Sequence, residues 1–308
     1  MYSWVKSMPK KVNENLNSVT LEDVEKCKEI TEEELIHDLR KLKEYSAIEN
    51  RNSFYGNNFL YHFQLKNLLK CRREKRKTIY EIANDSAEWS KLIEQTRKKD
   101  RGGKSAAANV FECYRINNGS IVMFKATTAK YVYTKYGAKK VLDPTAGWGG
   151  RLLGAWAKNI DYVGIDTNLS LKPAYDEMLT LLNNQVGYFE TAPNLQMIWE
   201  SCLNVDYSQI DYDFVLTSPP YINMEVYEYM EEWKTKDLFY KDFLLPLWEK
   251  CVTGTKSGTI CLNISPKMYD EFLKASGKPC HMEEDLLQQL GQQTNKKRQD
   301  KIYIWRVS

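Results

Sequence analysis

The chain has 308 residues, 28% charged and 43% hydrophobic, with a net charge of only +3, a globular composition long enough for one large domain or two modest ones. No window approaches the roughly 18 apolar residues of a membrane-spanning helix, and the opening MYSWVKSMPKK lacks the apolar core of a signal peptide, so an intracellular, cytoplasmic protein is expected. Seven scattered cysteines without CxxC spacing, and three histidines without a ligand pattern, exclude a disulfide framework and predict no metal site.

In chain order, Thr20-Leu21-Glu22-Asp23 and Thr31-Glu32-Glu33-Glu34 each match a capping box. After the second, Leu35, Ile36, Leu39, Leu42 and Tyr45 recur at helical spacing. Phe54 to Gln64 is dense in aromatics, with Gly56-Asn57-Asn58 as turn chemistry. Such aromatics are core residues more often than base-stacking platforms. A basic helix is expected over Leu65 to Lys77, then another over Ile79 to Lys98 with Ile82, Trp89, Leu92 and Ile93 inward. Arg101 to Asn109 reads as a small-residue loop. Its Gly103-Lys104-Ser105 resembles the end of a P-loop, but Lys98 stands where the first glycine belongs and no strand precedes it.

Charge is distributed unevenly over this part. Residues 1–50 carry 8 basic and 11 acidic groups, whereas residues 51–118 carry 15 basic and 7 acidic. The basic groups gather in Cys71–Lys77, in Arg97–Lys104 and, near the C-terminus, in Lys296–Arg298. Solvated helix faces explain any one cluster. Three of them predict a nucleic-acid footprint, with Arg72, Arg73, Arg76, Lys77, Arg101 and Lys104 as the contacts.

From about residue 120 the pattern changes. Short apolar runs at Lys140–Pro144, Tyr162–Thr167, Met197–Ser201, Phe214–Ser218 and Thr259–Ile264 alternate with helical segments around Arg151–Lys158, Leu171–Leu182 and Lys236–Cys251. That alternation predicts an α/β domain over 119–308, a mostly parallel sheet with helices on both faces, following a helical region over 1–118. Lys301–Arg306 reads as one more strand.

Two stretches carry the chemistry. Val141 to Arg151, VLDPTAGWGGR, is a strand, a glycine turn and a helix start. The next strand ends at Asp166, about 20 residues after the loop, where a carboxylate accepts both hydrogens of a ribose diol. Asp143 sits where a pyrophosphate would want no anion, so a cationic ligand, S-adenosylmethionine, suits the loop better than a dinucleotide. Val215 to Tyr221, VLTSPPY, ends a buried strand in two prolines that cannot continue a ladder. The chain leaves the sheet there as a stiff corner, with a hydroxyl before it and an aromatic face after it. A flat, polar-edged ligand such as a nucleobase fits that arrangement.

Asp143-Pro144-Thr145-Ala146-Gly147-Trp148-Gly149 resembles the cofactor motif of class I S-adenosylmethionine-dependent methyltransferases. Thr217-Ser218-Pro219-Pro220-Tyr221 resembles the catalytic motif of the DNA methyltransferases that act on exocyclic amino groups. Phe124-Lys125-Ala126-Thr127-Thr128 is similar to the segment with which that family holds the methionine end. The resemblance covers about residues 120–308 and implies a seven-stranded, Rossmann-like sheet whose last strand is antiparallel.

The resemblance also implies roles. Asp143 would face the methionine amino group, Phe124, Lys125 and Thr127 would hold the methionine end, and Thr145, Gly147 and Gly149 would also bind the cofactor. Asp166 would hold the ribose, with Thr167 and Asn168 also binding the cofactor, and Glu200 or Ser201, ending the third strand, would lie beside the adenine. Ser218, Pro219, Pro220 and Tyr221 would carry catalysis on a base flipped out of DNA. Ser rather than Asp at position 218 leans toward N4 of cytosine, with N6 of adenine next. Asn223, Glu225 and Tyr227 would line the entrance or stay solvated. Target recognition then falls to residues 1–118, with the loops Met224–Asp237 and Pro266–Asn295. Two alternatives stand beside this one: a methyltransferase acting on RNA guanine or protein glutamine, and a silent DNA-binding subunit of the same fold.

Overall fold

The computed structural model describes residues 14–46, 53–99, 104–119, 121–185, 191–221, 225–226, 233–285 and 300–308. It divides into two compact units. One comprises the residues up to Glu29 together with Leu65–Ile121. The other comprises Ile30–Gln64 together with Val122–Ser308.

The first unit is helical. Thr20 and Asp23 cap the helix Leu21–Lys26 reciprocally, as the sequence pattern predicts. The single helix expected over Ile79–Lys98 is two, Ile79–Ala83 and Ser86–Lys99. Asp85 makes the break, because its Oδ1 accepts from the amides of Ala87 and Glu88 and so starts a new helix. Ile82, Leu92 and Ile93 are buried as expected, and Trp89 is only partly so. The basic run does not lie on a helix, since Asn57–Lys70 ends before it and Glu74 adopts a positive φ of 54°. The small-residue loop is also shorter than expected. Ser105 accepts from the amide of Ala108 and opens the helix Ala106–Asn118.

The second unit holds a seven-stranded sheet. Its strands are β1 Lys140–Asp143, β2 Asp161–Asp166, β3 Leu195–Trp199, β4 Phe214–Thr217, β5 Gly258–Ile264, β6 Met282–Asp285 and β7 Lys301–Val307. The order is β3-β2-β1-β4-β5-β7-β6. β7 pairs antiparallel with both β5 and β6, and the pairs among β1 to β5 are all parallel. This is the Rossmann-like sheet of the class I methyltransferase fold, antiparallel last strand included. The central strands are apolar on both faces, as parallel strands under two helical layers must be: Val141, Leu142, Val215, Leu216, Ile260 and Leu262 are all buried.

The polar strand Met282–Asp285 has no apolar alternation, and it is an edge strand. Pro266–Asn295 is not all loop: Ser265 caps a helix, Pro266–Ser276, which Gly277 ends in a left-handed conformation. The helix expected over Lys236–Cys251 contains a wide π turn, Phe239–Leu244, ahead of Pro246. A proline has no N–H for a regular turn and crowds the carbonyl four residues back, so the register slips upstream of it.

The expected boundary at 118/119 therefore requires correction, because residues 30–64 group with the sheet. Three contacts explain it. Lys130 Nζ donates to the carbonyls of Leu42, Lys43 and Tyr45 at 2.7, 2.7 and 2.8 Å, closing the helix Glu32–Glu44. Thr127 Oγ1 donates to Ser53 O at 2.9 Å. Gly56 has no room for a Cβ, which would meet Leu153 at 2.9 Å and Ala126 at 3.1 Å. Asp38, buried, accepts from the amides of Gly56 and Phe59 and fixes the turn between the two segments. Of the aromatics, Phe59 is fully buried, whereas Phe54 and Tyr55 remain exposed.

Candidate active site

β1 lies between β2 and β4, so the chain leaves β1 on one side of the sheet and returns on the other. Ligands of doubly wound sheets bind at such a switch point, outside the carboxyl ends of the strands. Here those ends carry Asp143-Pro144-Thr145 and Thr217-Ser218. Thr145 Oγ1 lies 2.6 Å from Thr217 Oγ1 and donates to Ser218 O at 3.1 Å. Each hydroxyl has one hydrogen, so Thr217 donates to Thr145 and Thr145 to Ser218. Two stretches 73 residues apart are thereby one hydrogen-bonded structure.

Asp143 is fully buried. Its Oδ2 accepts from Arg151 Nε at 2.6 Å and from the Tyr162 hydroxyl at 2.7 Å, while Oδ1 has no partner. Arg151 also donates to the Thr145 carbonyl, and its guanidinium stands 5.2 Å from the Phe124 ring centre. Burial, and then the Asp143 charge, push the Tyr162 hydroxyl well up, so it stays a donor. In the sequence Arg151 reads only as a helix start, and Tyr162 only as a strand residue. The one usable signal is that Arg151 is the first cation to follow Asp143 in the sequence.

The glycine turn is held from two sides. Asp166 accepts from the amides of Gly147 at 2.7 Å and Asn168 at 2.9 Å. Burial raises its carboxyl, and these two hydrogen bonds hold it back. Tyr175 donates to the Gly147 carbonyl at 2.8 Å. Gly147 and Gly149 have φ of 59° and 87°, open to glycine without strain. Gly150 is required for another reason: a Cβ there would lie 1.8 Å from the Phe124 carbonyl oxygen. The segment Phe124-Lys125 is thus pressed against the turn.

Lys125 begins the helix Ala126–Tyr136 and is buried. Its Nζ has no hydrogen-bond partner and lies 4.4 Å from the Phe54 ring centre. Burial lowers its pKa. Thr127 is spent on Ser53, as above.

Asn168 caps the short turn Leu169–Leu171 through Ser170, and Thr167 is exposed. Glu200 and Ser201 follow β3 rather than ending it. Glu200 is exposed, and its Oε1 accepts from the Ser201 amide and from Asn204, which hold its carboxyl below the ordinary value.

At the corner, Ser218 Oγ donates to the Asn263 carbonyl at a long 3.4 Å. Pro219 is buried, and Pro220 and Tyr221 are half-buried. Asn223, Tyr227 and the basic run 296–298 lie outside the described residues, as does Arg101, and the Glu225 side chain is likewise outside the description.

In the helical unit the predicted nucleic-acid contacts are already paired. Arg72 meets Glu81 at 2.5 Å, Lys77 meets Glu88 at 2.7 Å and Lys104 meets Glu112 at 3.7 Å. Arg76 donates to the Asn117 carbonyl at 2.8 Å, and the Arg73 stem packs on Gly119. Exposed pairs of this kind hold their partners weakly. Among the described residues no His, Cys, Asp or Glu side chains gather as a metal set, and no helix is long and apolar enough to cross a membrane.

No protein-family model matches the chain, and no curated protein matches it in sequence. Solved structures resemble it slightly. An rRNA methylase from Streptococcus thermophilus is 13% identical, with 61% of this chain and 100% of that one covered and a TM-score of 0.39. Magnesium protoporphyrin IX methyltransferase from Synechocystis, solved with bound SAM, is 12% identical, with 64% and 91% covered and a TM-score of 0.37. TehB from Haemophilus influenzae is 12% identical, with 64% and 66% covered and a TM-score of 0.37. Likenesses this slight carry no argument about what the chain binds or does.

Proposed function

We propose that this chain transfers the methyl group of S-adenosylmethionine to an exocyclic amino group of a base in DNA, N4 of cytosine ahead of N6 of adenine. The observation that carries the reading is the hydrogen-bonded joint from Thr145 to Ser218, which unites the glycine turn and the SPPY corner at the switch point.

The residues fit the cofactor. Its methionine end is a zwitterion, and among the described residues of the site two buried charged atoms lack hydrogen-bond partners: Asp143 Oδ1 and Lys125 Nζ. One suits an ammonium and the other a carboxylate. Asp166 keeps acceptor capacity for a ribose diol beyond its two amide bonds. The cofactor supplies an electrophilic methyl on sulfur, and the protein supplies alignment.

An exocyclic amine is a weak nucleophile because its lone pair is delocalised into the ring. Ser218 gives its hydrogen to Asn263, so its own lone pairs are left to accept one amino hydrogen. The Pro219 carbonyl accepts the other. Together they favour the pyramidal amine and aim its lone pair. Thr145 holds the Ser218 carbonyl, and the two prolines fix φ, so the acceptors do not reorganise during reaction. Tyr221 offers a face for the base.

Tritiated S-adenosylmethionine offered with duplex DNA, RNA and protein, followed by nucleoside mass spectrometry, tests this. The expected product is N4-methylcytosine, or else N6-methyladenine, in DNA. Ser218→Ala lowers transfer by roughly 10²-fold, the size of removing one preorganised hydrogen-bonding group at a reacting centre, with cofactor affinity retained. Label only in RNA or protein would favour methylation of RNA guanine or protein glutamine instead. No label anywhere would favour a silent DNA-binding subunit.

The helical unit is proposed to contact the DNA through its basic run. Reversing charge at Arg72, Arg73, Arg76 and Lys77 weakens binding and flattens the plot of log affinity against log salt, by about 0.9 for each phosphate no longer neutralised. Unchanged affinity and slope would remove this unit from the interface.

A further inference from the structure

Lys125 is 5% exposed, yet its ammonium has no hydrogen-bond partner. A charge buried in that way is costly unless something meets it. The residue is the N-cap of the helix Ala126–Tyr136, but its side chain makes no cap. Of the two hydroxyls in the first turn, Thr127 gives its hydrogen to Ser53, whereas the buried Thr128 Oγ1 has no partner. A helix start with no side-chain cap, a buried ammonium and a spare hydroxyl together suit an anion. The ammonium is faced by the Phe54 ring, its centre 4.4 Å away.

Phe54 is 50% exposed, so burial in the core does not explain where its ring lies. Its backbone is fixed on both sides. The Ser53 carbonyl accepts from Thr127, and the Phe54 carbonyl accepts from the Asn57 amide at 2.9 Å. The Gly56 amide donates to the buried Asp38, and Gly56 sits so close to Ala126 and Leu153 that it has no space for a Cβ. The turn is thus locked against the start of the helix that Lys125 opens, within the unit that holds the sheet. A lysine stem is flexible, and its ammonium is strongly hydrated. Without the ring, the ammonium would turn out to water through the side that the ring covers. A ring face is a weak acceptor, so an ammonium held against it keeps donors to give to an anion.

We propose that Phe54 is a positioning residue for the carboxylate of the cofactor, keeping the Lys125 ammonium at the helix start so that the carboxylate meets it already in place. The proposal rests on the function inferred above. It adds a residue outside the methyltransferase motifs, delivered by the segment Ile30–Gln64 that precedes them. Phe54 acts through Lys125 and takes part in no covalent step. Its effect falls on affinity, and only for a ligand that carries the carboxylate.

The experiment is calorimetric titration of the full chain, without a methyl acceptor, with S-adenosylmethionine and with decarboxylated S-adenosylmethionine, which lacks only the carboxylate. Phe54→Leu keeps an apolar side chain and loses the ring face. It is expected to weaken S-adenosylmethionine binding roughly tenfold, the shift in ammonium population that a partly desolvated cation–π contact sustains. Affinity for the decarboxylated compound is expected to stay unchanged, which also shows that the variant is folded. Phe54→Tyr keeps the ring and is expected to bind as the unsubstituted chain does. Lys125→Met weakens S-adenosylmethionine binding, and adding Phe54→Leu to it costs nothing more, because both act on one contact. Phe54→Leu equal to the unsubstituted chain, equal losses for the two compounds, or additive losses with Lys125→Met would overturn the positioning role alone. An unsubstituted chain that binds neither compound overturns the reading of the site on which the role rests, and is recognised before any variant is made.

Discussion

Asp143→Asn lowers the stability of the sheet unit by about 3–5 kcal/mol, the usual cost of removing one partner of a buried ion pair. The substitution keeps size and shape and removes only charge. Arg151 then stands buried with its guanidinium facing a neutral amide, and the Tyr162 hydroxyl loses its charged acceptor. The remaining donation from Arg151 to the Thr145 carbonyl is to a dipole and does not neutralise a full charge. Urea unfolding measures the loss. Arg151→Met on the same background is expected to recover part of it, because the double variant has no buried charge left to desolvate. A loss under about 1 kcal/mol, in the range of an exposed pair, would mean that the pair contributes no more than one on the surface. The same variant tests the pocket, since it removes the negative charge offered to a cationic ligand while leaving Lys125 and Asp166 in place.

Gly150→Ala has the second large effect, and its cause is steric. The added Cβ would stand 1.8 Å from the Phe124 carbonyl oxygen and 2.9 Å from its carbon. Both atoms are backbone, so no side chain can swing aside. Either the helix Gly150–Trp156 or the segment Phe124-Lys125 must move. Overpacking of this kind costs about 1–3 kcal/mol or more. The displaced segment carries Lys125, so S-adenosylmethionine affinity is expected to fall with stability. Gly147→Ala is the comparison. Its Cβ would meet only the Thr145 carbonyl at 3.8 Å, and its cost is the strain of a positive φ, about 1–2 kcal/mol. Calorimetry on both variants decides. If Gly150→Ala proves no worse than Gly147→Ala, the close approach of Phe124 is not a constraint on this turn.

The strands of the sheet were legible because parallel strands between two helical layers must be apolar on both faces. Val141-Leu142 and Val215-Leu216 say so directly. The sequence places β3 two residues late, because the strand is only partly buried and the polar Gln196 interrupts its apolar run near the start. β6 is invisible in the sequence, since the one buried residue of this edge strand is a carboxylate, Glu284, held by Tyr131, Lys135 and Tyr136. The glycine turn and the SPPY corner were legible because each needs residue types that ordinary loops lack. Arg151 and Tyr162 were not. Each matters through Asp143, 8 and 19 residues upstream, and a buried arginine looks like an exposed one until its carboxylate is found. The same holds for Lys130, a surface lysine by every local sign until three carbonyls surround it.

That last interaction bears on how the chain is made. The carbonyl of Tyr45 emerges from the ribosome 85 residues before the ammonium that closes it. At roughly 5–20 residues per second, the wait is on the order of ten seconds. Throughout it, the helix Glu32–Glu44 has an open end and an unburied face of Leu35, Leu39 and Leu42. Residues 65–121, meanwhile, are already being delivered to the other unit. A nascent chain that must set one segment aside while starting a different fold is a natural client for a holding chaperone. It also means that a gene cut after residue 118 separates this helix from the lysine that finishes it.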